Sequence, residues 1–400
     1  MGPIEKKWRD GISRRKAFQS LAGFLAASPL LHGQQDPFRP HSRVPSMDEL
    51  LTTFDFEPIA YAKLPAQTYH YMAHGDGSER TVQRNREAFD WVKLVPRAVV
   101  DVSSVDASTE VLGTKMKFPL LLAPSSGHGA LHPEGEVATH RGASGAGSPM
   151  ILSQGAGFQA EKIMQAGDAP MWFQVYPRET LEDNLPLLEE VQALGYQAIT
   201  ITIDQVASYY ERDEHFRHLA QRRGRRGRPA ETEEPSHPYG VRYDRIWYHW
   251  ELFEKLRPYV KVPILAKGIV TAADAKMCIE HGVDGIIVSN HGGRSMDYGP
   301  ATLEVLPEIV DAVQGKIPVL IDSGFRRGTD VLKALALGAK AVCVGRVPRW
   351  GLAAFGDAGV QRIMEIMQGE LALAMAHTGR PNLASIDRTL VRTAFPWAKK

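Results

Sequence analysis

The sequence predicts an α/β fold in which parallel strands close into a (β/α)8 (TIM) barrel, and three observations carry that prediction. Short apolar runs rich in β-branched residues recur along the chain, such as Pro318-Val319-Leu320-Ile321 and Ala341-Val342-Cys343-Val344. They are continuously apolar rather than alternating, as strands covered on both faces are. Helix-period segments, such as Ala272–His281 and Thr329–Leu337, lie between those runs with the spacing of βαβ units. Finally, each run ends in polar or glycine residues: Lys267 closes Pro263–Ala266, the block Ser289-Asn290-His291-Gly292-Gly293-Arg294 follows Gly285–Val288, and Asp322-Ser323-Gly324 follows Ile321. In such a barrel the C-terminal ends of the strands form the catalytic face.

Size and composition agree with one barrel plus extensions. The chain has 400 residues, and a barrel takes about 250. A hydrophobic fraction of 44% allows a large core, and a net charge of +1 argues against nucleic acid as the main partner. The two cysteines, Cys278 and Cys343, sit in apolar segments and read as small core residues. Nothing in their placement suggests a disulfide framework or a metal site.

Taken in order, residues 1–33 open basic (Lys6, Lys7, Arg9) and carry Ser13-Arg14-Arg15-Lys16-Ala17-Phe18. They continue into an apolar, small-residue run from Leu21 to Leu31. A charged start, twin arginines and an apolar core too short to span a bilayer predict a twin-arginine (Tat) export signal and a periplasmic destination. An amphipathic N-terminal helix on a cytoplasmic protein is the alternative, and Phe18 stands one place later than the usual Tat pattern. Residues 34–46, with prolines and no apolar period, read as a flexible tether, and residues 47–400 as the barrel domain.

Residues 48–91 predict a helical extension leading into the barrel, including Leu64-Pro65-Ala66-Gln67-Thr68-Tyr69-His70-Tyr71 and the amphipathic Thr81–Trp91. Candidate strands follow at Pro119–Ala123, Met150–Ser153, Met171–Tyr176, Ala198–Asp204, Pro263–Lys267, Gly285–Ser289, Val319–Asp322 and Ala341–Val344, the eight that closure needs. Helices fall between them, for example Glu134–Ala146, Thr180–Leu194 and Ala301–Val313, and a last one, Ala358–Ala376, carries an apolar stripe. The connection Gln205–Val262, after strand four, is far longer than a usual βα loop. Its middle, Arg222–Glu234, is a charge run that reads as a solvated loop, and the aromatics Tyr239, Tyr243, Trp247, Tyr248 and Trp250 read as packing or a subunit contact.

Lys267, the SNHGGR block (Ser289–Arg294), Ile321–Ala339 (IDSGFRRGTDVLKALALGA) and Gly345-Arg346 together resemble the FMN-dependent α-hydroxy-acid oxidases and dehydrogenases. That family includes glycolate oxidase, lactate oxidase, mandelate dehydrogenase and the flavin domain of flavocytochrome b2. The resemblance runs from about Met47 to about Ser385. It implies an FMN cofactor, a small 2-hydroxy-acid substrate such as lactate or glycolate, O2 or an electron carrier as final acceptor, a homotetramer, and a lid formed by the long connection after strand four.

The chemistry agrees with the residue types. Oxidising a Cα–OH needs a base, a group that fixes the carboxylate, and an electron acceptor, which no side chain provides reversibly. His291 has the pKa range of a base near neutrality, and the glycines after it leave room for substrate. Arg294 has the fork that holds a carboxylate bidentately. The resemblance adds Asp204 as partner of the histidine, Tyr69 as a second carboxylate contact, Tyr176 on the substrate oxygen, and Lys267 as the cation that balances charge on the reduced flavin. It also implies Asp322, Ser323, Gly324, Arg326, Gly345 and Arg346 around the phosphate. Ser153, Gln174, Thr202 and Ser289 would lie along the flavin edge, and the backbone at Pro124-Ser125-Ser126 would face N5. The base would take either the Cα proton or the hydroxyl proton as a hydride leaves; the residues fit both.

Three positions depart from the family pattern. Glu211 stands where a second active-site arginine is usual, with Arg212 beside it; Ser126 stands where alanine or glycine is usual; and Gly155 replaces a bulkier residue. They leave the substrate and the reaction with oxygen open. Two other readings share the fold: a non-redox FMN barrel such as a type 2 isopentenyl-diphosphate isomerase, and a flavin-binding protein that has lost activity. The His-Gly-Gly-Arg set with Asp204 and Tyr69 speaks against the first, and only Glu211 suggests the second.

Overall fold

The computed structural model describes residues 44–204 and 249–396, and the barrel lies in the unit Met47–Lys400. The predicted export segment, most of the tether, the lid with Glu211, Arg212 and the charge run, and the aromatics Tyr239 to Tyr248 fall outside the described residues.

Ahead of the barrel come the helices Phe56–Lys63, Ala66–Ala73 and Arg80–Glu87, then strand β1 (Val92–Leu94). A hairpin follows, β2 (Thr109–Val111) and β3 (Thr114–Met116), turned by Leu112 and Gly113, both at positive φ as a primed hairpin turn requires. The barrel strands are β4 (Leu120–Leu122), β5 (Met150–Ser153), β6 (Met171–Val175), β7 (Ile199–Thr202), β8 (Ile264–Ile269), β9 (Gly285–Val288), β10 (Val319–Ile321) and β11 (Ala341–Val344). All pair in parallel and close in the order β10-β11-β4-β5-β6-β7-β8-β9. β12 (Val391–Thr393) returns to pair antiparallel with β1.

The eight barrel strands match the eight runs read from the sequence, and every strand residue is buried except Gly268. Alternate residues point into the lumen, where Leu121, Ile151, Trp172, Ala198, Leu265, Ile287, Leu320, Ala341 and Cys343 form one packed cluster. Val111 and Met116 of the hairpin plug its lower end, and Trp172 Nε1 donates to Thr114 Oγ1 at 2.8 Å. The lumen is therefore a filled core, and chemistry is confined to the upper rim. Outside, helices cover the strands; between Arg346 and His377 two helices meet at a kink where Phe355 and Gly356 leave the helical conformation, and the predicted Ala358–Ala376 is the second of them. Among the described residues no helix is long and apolar enough to cross a membrane.

Candidate active site

Continuing each strand's alternation one step above the core layer sets the rim. Ile151, Trp172 and Leu265 point inward, so Ser153, Gln174 and Lys267, two residues on, do as well. Thr202 pairs in register with Lys267. The strands β6, β7, β9 and β10 end one or two residues earlier than predicted, which leaves Tyr176, Asp204, Ser289 and Asp322 on the rim just beyond them.

His291 Nδ1 lies 2.9 Å from Asp204 Oδ1. Burial acts to raise the Asp204 pKa, but the charges of His291 and Lys267 and the hydrogen bond from His291 hold it below the ordinary carboxylate value. An ionised carboxylate only accepts, so Nδ1 carries the proton and donates it. The lone pair is thereby placed on Nε2, which lies 3.4 Å from the Tyr176 hydroxyl at the cavity wall. Burial pushes Tyr176 up to about 12, so its hydroxyl stays a donor at neutral pH. Asp204 reaches the histidine because β8 bulges after Lys267, where Gly268 has φ +114°. A Cβ there would stand 2.6 Å from the Asp204 Cβ.

Lys267 is 3% exposed; its Nζ donates to Ser289 Oγ at 2.9 Å and lies 3.6 Å from Asp322 Oδ2. Burial opposes its charge, but Asp322, Asp204 and Tyr176 outweigh that and raise its pKa, so it remains a cation. Ser289 Oγ also accepts the His291 N–H at 3.1 Å, tying the lysine to the base.

A cavity of about 310 Å³ opens at this rim, lined by Tyr176, Lys267, His291 and Arg294 on one side. Pro124, Ser125, Ser126 and Ser153 line it, as do Asp322 to Arg326, Gly345 and Arg346. Arg294 donates to the Tyr71 carbonyl, and its guanidinium lies 4.6 Å from the centroid of the Tyr71 ring. The Tyr71 hydroxyl is 3.4 Å from Ser126 Oγ. Tyr69, the tyrosine singled out from the sequence, does not line the cavity. Its hydroxyl lies 3.3 Å from Glu57 Oε1, and its ring stacks on Trp350 at 5.3 Å. Both tyrosines belong to the helix Ala66–Ala73, and residues two apart on a helix point about 200° apart. Tyr71 therefore occupies the place expected for Tyr69.

The opposite wall is built for anions. Gly345 precedes the helix Arg346–His377, whose N-terminus faces the cavity. Arg346 donates to the carbonyls of Met72, Gly292 and His74 at 3.1, 2.8 and 3.0 Å. Burial, then Arg294, Arg326 and Arg349, lower its pKa to about 9. Arg326 lies 3.5 Å from Glu57. Ser323 has φ 79°, accepts the Gly292 N–H at 3.0 Å and donates to Asp322 Oδ1 at 2.6 Å. Such a density of guanidinium groups calls for an anion of high charge, as a phosphate is.

Buried polar atoms point to the rest of that ligand. Gln174 Nε2 and Thr202 Oγ1 have no hydrogen-bond partner among the described residues, while Ser153 Oγ donates to Gln174 Oε1 at 3.0 Å. Donors left open on the rim layer with Lys267 suit the heteroatom edge of an isoalloxazine, and the arginines suit its phosphate. The residues present fit FMN.

Asn85, His128 and Arg349 gave no sign in the sequence. Asn85 and Asn290 exchange two hydrogen bonds, at 2.9 and 2.8 Å, and fasten the base-bearing loop to the extension. Ser125 Oγ lies 2.8 Å from His128 Nε2. Arg349 lines the cavity although it reads as an ordinary helical residue.

A filled parallel barrel with a histidine base, a buried lysine and an anion wall at its C-terminal rim defines a flavin-dependent oxidoreductase. The model of the FMN-dependent dehydrogenases matches residues 60–393, and the chain belongs to that family. It is 38% identical over 356 residues to a peroxisomal (S)-2-hydroxyacid oxidase of Arabidopsis thaliana, covering 87% of this chain and 98% of that one. It is 39% identical to 2-hydroxyacid oxidase 1 of Homo sapiens, covering 86% and 97%. Among solved structures it is similar to the (S)-mandelate dehydrogenase of Pseudomonas putida (TM-score 0.77, 33% identity, 86% and 100% covered). It is also similar to a lactate oxidase of Pediococcus acidilactici (TM-score 0.78, 31% identity, 86% and 95% covered).

Proposed function

We propose that the protein oxidises a small L-2-hydroxy acid to the 2-oxo acid. The observation that carries this reading is His291: Asp204 fixes the proton on Nδ1, and Nε2 opens beside Tyr176 into a cavity that also holds Arg294. Arg294 and Tyr71 hold the substrate carboxylate, which turns the carbon bearing the hydroxyl toward His291. Tyr176 hydrogen-bonds the substrate oxygen. His291 Nε2 receives one proton, whether from Cα or from the hydroxyl, and Asp204 stabilises the resulting imidazolium. FMN, when bound, supplies the two-electron acceptor. Pro124 to Ser126, Ser153, Gln174, Thr202 and Ser289 would hold its ring system; Ser323, Gly324, Arg326, Gly345 and Arg346 would hold its phosphate, with the Asp322 carboxylate between them beside Lys267. Lys267 adds a fixed positive charge on the rim.

Gly155 and Ser126 bound the substrate end, where an added Cβ on Gly155 would meet the Ser126 Cβ at 3.1 Å. Lactate- and glycolate-sized acids fit this reading, and O2 or a quinone or cytochrome then takes the electrons. The protein is exported through the Tat route on its twin-arginine segment and assembles as a homo-oligomer. Anaerobic addition of hydroxy acids to the FMN-loaded protein tests the reaction: bleaching of the yellow flavin band supports it, and an unreduced flavin contradicts it. Admitting air then separates the two acceptor classes by the speed at which the colour returns.

A further inference from the structure

We propose that Arg349 is a second guanidinium for the substrate carboxylate, an inference that rests on the 2-hydroxy-acid reading above. Arg349 stands in the first turn of the helix Arg346–His377. It is 6% exposed, yet it lines the cavity. A guanidinium keeps its charge under all ordinary conditions, so Arg349 brings a fixed positive charge to the cavity wall.

Arg349 lies one turn beyond Arg346 and beside Tyr71. Its Cζ lies 5.7 Å from the centroid of the Tyr71 ring, the same ring that carries the Arg294 guanidinium at 4.6 Å. Two guanidinium groups thus share one tyrosine, whose hydroxyl lies 3.4 Å from Ser126 at the substrate end. The phosphate wall has its own cations, Arg326 beside Glu57 and Arg346 fixed on three backbone carbonyls. His128, near Arg349, is held neutral: burial, then the charge of Arg349, lowers its pKa to about 3. Positive charge at this end therefore comes from the arginines. Two planar forks and a phenol offer a carboxylate a donor for each of its lone pairs, the arrangement that recognises a carboxylate most tightly.

The test uses the FMN-loaded full chain and its Arg349→Met and Arg349→Lys variants. Oxalate serves as the carboxylate probe, titrated through its perturbation of the visible flavin spectrum, which needs no turnover. For Arg349→Met the oxalate Kd rises about 10- to 100-fold, as loss of a charge-assisted contact does, and FMN affinity changes by less than about twofold. KM for the hydroxy acid rises more than kcat falls. Arg349→Lys keeps the charge without the fork and shows a smaller rise, of about three- to tenfold. If Arg349→Met does not fold, the lysine variant decides alone. An unchanged oxalate Kd overturns the proposal. So does a loss of FMN affinity in its place, which would make Arg349 a phosphate cation, or an equal loss of binding by a neutral 2-hydroxy amide, which would show a packing role. Should oxalate binding depend on Arg349 while no hydroxy acid reduces the flavin, the anion site stands and the reaction reading falls.

Discussion

At the residue scale the site is an exercise in directing one proton. Asp204 fixes the tautomer of His291, so the two residues fail in different ways. His291→Gln leaves a folded yellow protein whose reduction by substrate is about 100- to 10,000-fold slower; near-normal reduction in a stopped-flow trace would refute the base assignment. Asp204→Asn can hold the opposite tautomer, with its amide donating to Nδ1, and slows reduction by on the order of 1,000-fold. The same pair has a pH signature. The folded Asp204 pKa lies below its unfolded value of about 3.9, so its stabilisation is complete above that value and fades as pH falls through the folded pKa. In urea titrations the stability gap between the native protein and Asp204→Asn narrows as pH falls below about 4; a gap that does not narrow there would contradict the assignment. His291 and Arg294 were legible in the block that follows an apolar strand, and Asp204 and Lys267 through the family resemblance. Tyr69 was chosen where Tyr71 lines the cavity, because two tyrosines two residues apart look alike in sequence and are opposed in space. Arg349 was invisible, since a lone arginine on a helix carries no sign of burial.

At the element scale the rim depends on local departures from regular structure. The β8 bulge exists because Gly268 adopts a left-handed φ and has no Cβ to push Asp204 away. Gly268→Ala is expected to destabilise the protein by about 1–3 kcal/mol and to slow flavin reduction as well, through displacement of Asp204. Thermal unfolding and stopped-flow reduction measured together check this, and an unaffected reduction rate would detach the bulge from catalysis. The barrel strands and most helices could be read because burial on both faces and a 3.6 period leave strong patterns. The pairs β1–β12 and β2–β3 could not be, since each strand has three residues and one pair joins segments about 300 positions apart, as Val92 and Thr393 show. The helix read at Ala358–Ala376 is the part that follows the kink at Phe355 and Gly356; the shorter helix from Arg346 before it was not read, because polar residues of its opening turn line the cavity rather than an amphipathic exterior.

At the scale of the whole molecule the extension before the barrel is a wall of the site. Tyr71, Asn85 and Arg86 come from it, and Arg346 and Asn290 reach back to bind it. Asn85→Ala leaves buried polar groups on Asn290 without one partner and costs about 1–3 kcal/mol, read as a fall in the urea midpoint; no change would free the base-bearing loop from the extension. Export makes a separate prediction: replacing both Arg14 and Arg15 by Lys keeps the protein in the cytoplasm, and fractionation that still finds it outside would exclude the Tat route. The central claim, oxidation of a 2-hydroxy acid at His291, is tested most directly without oxygen. Glycolate, L-lactate, longer 2-hydroxy acids and mandelate are added in turn to the FMN-loaded protein while its visible spectrum is recorded. The account predicts that at least one of them bleaches the flavin and that His291→Gln abolishes the bleaching. A flavin that dithionite reduces but none of these acids does would contradict it.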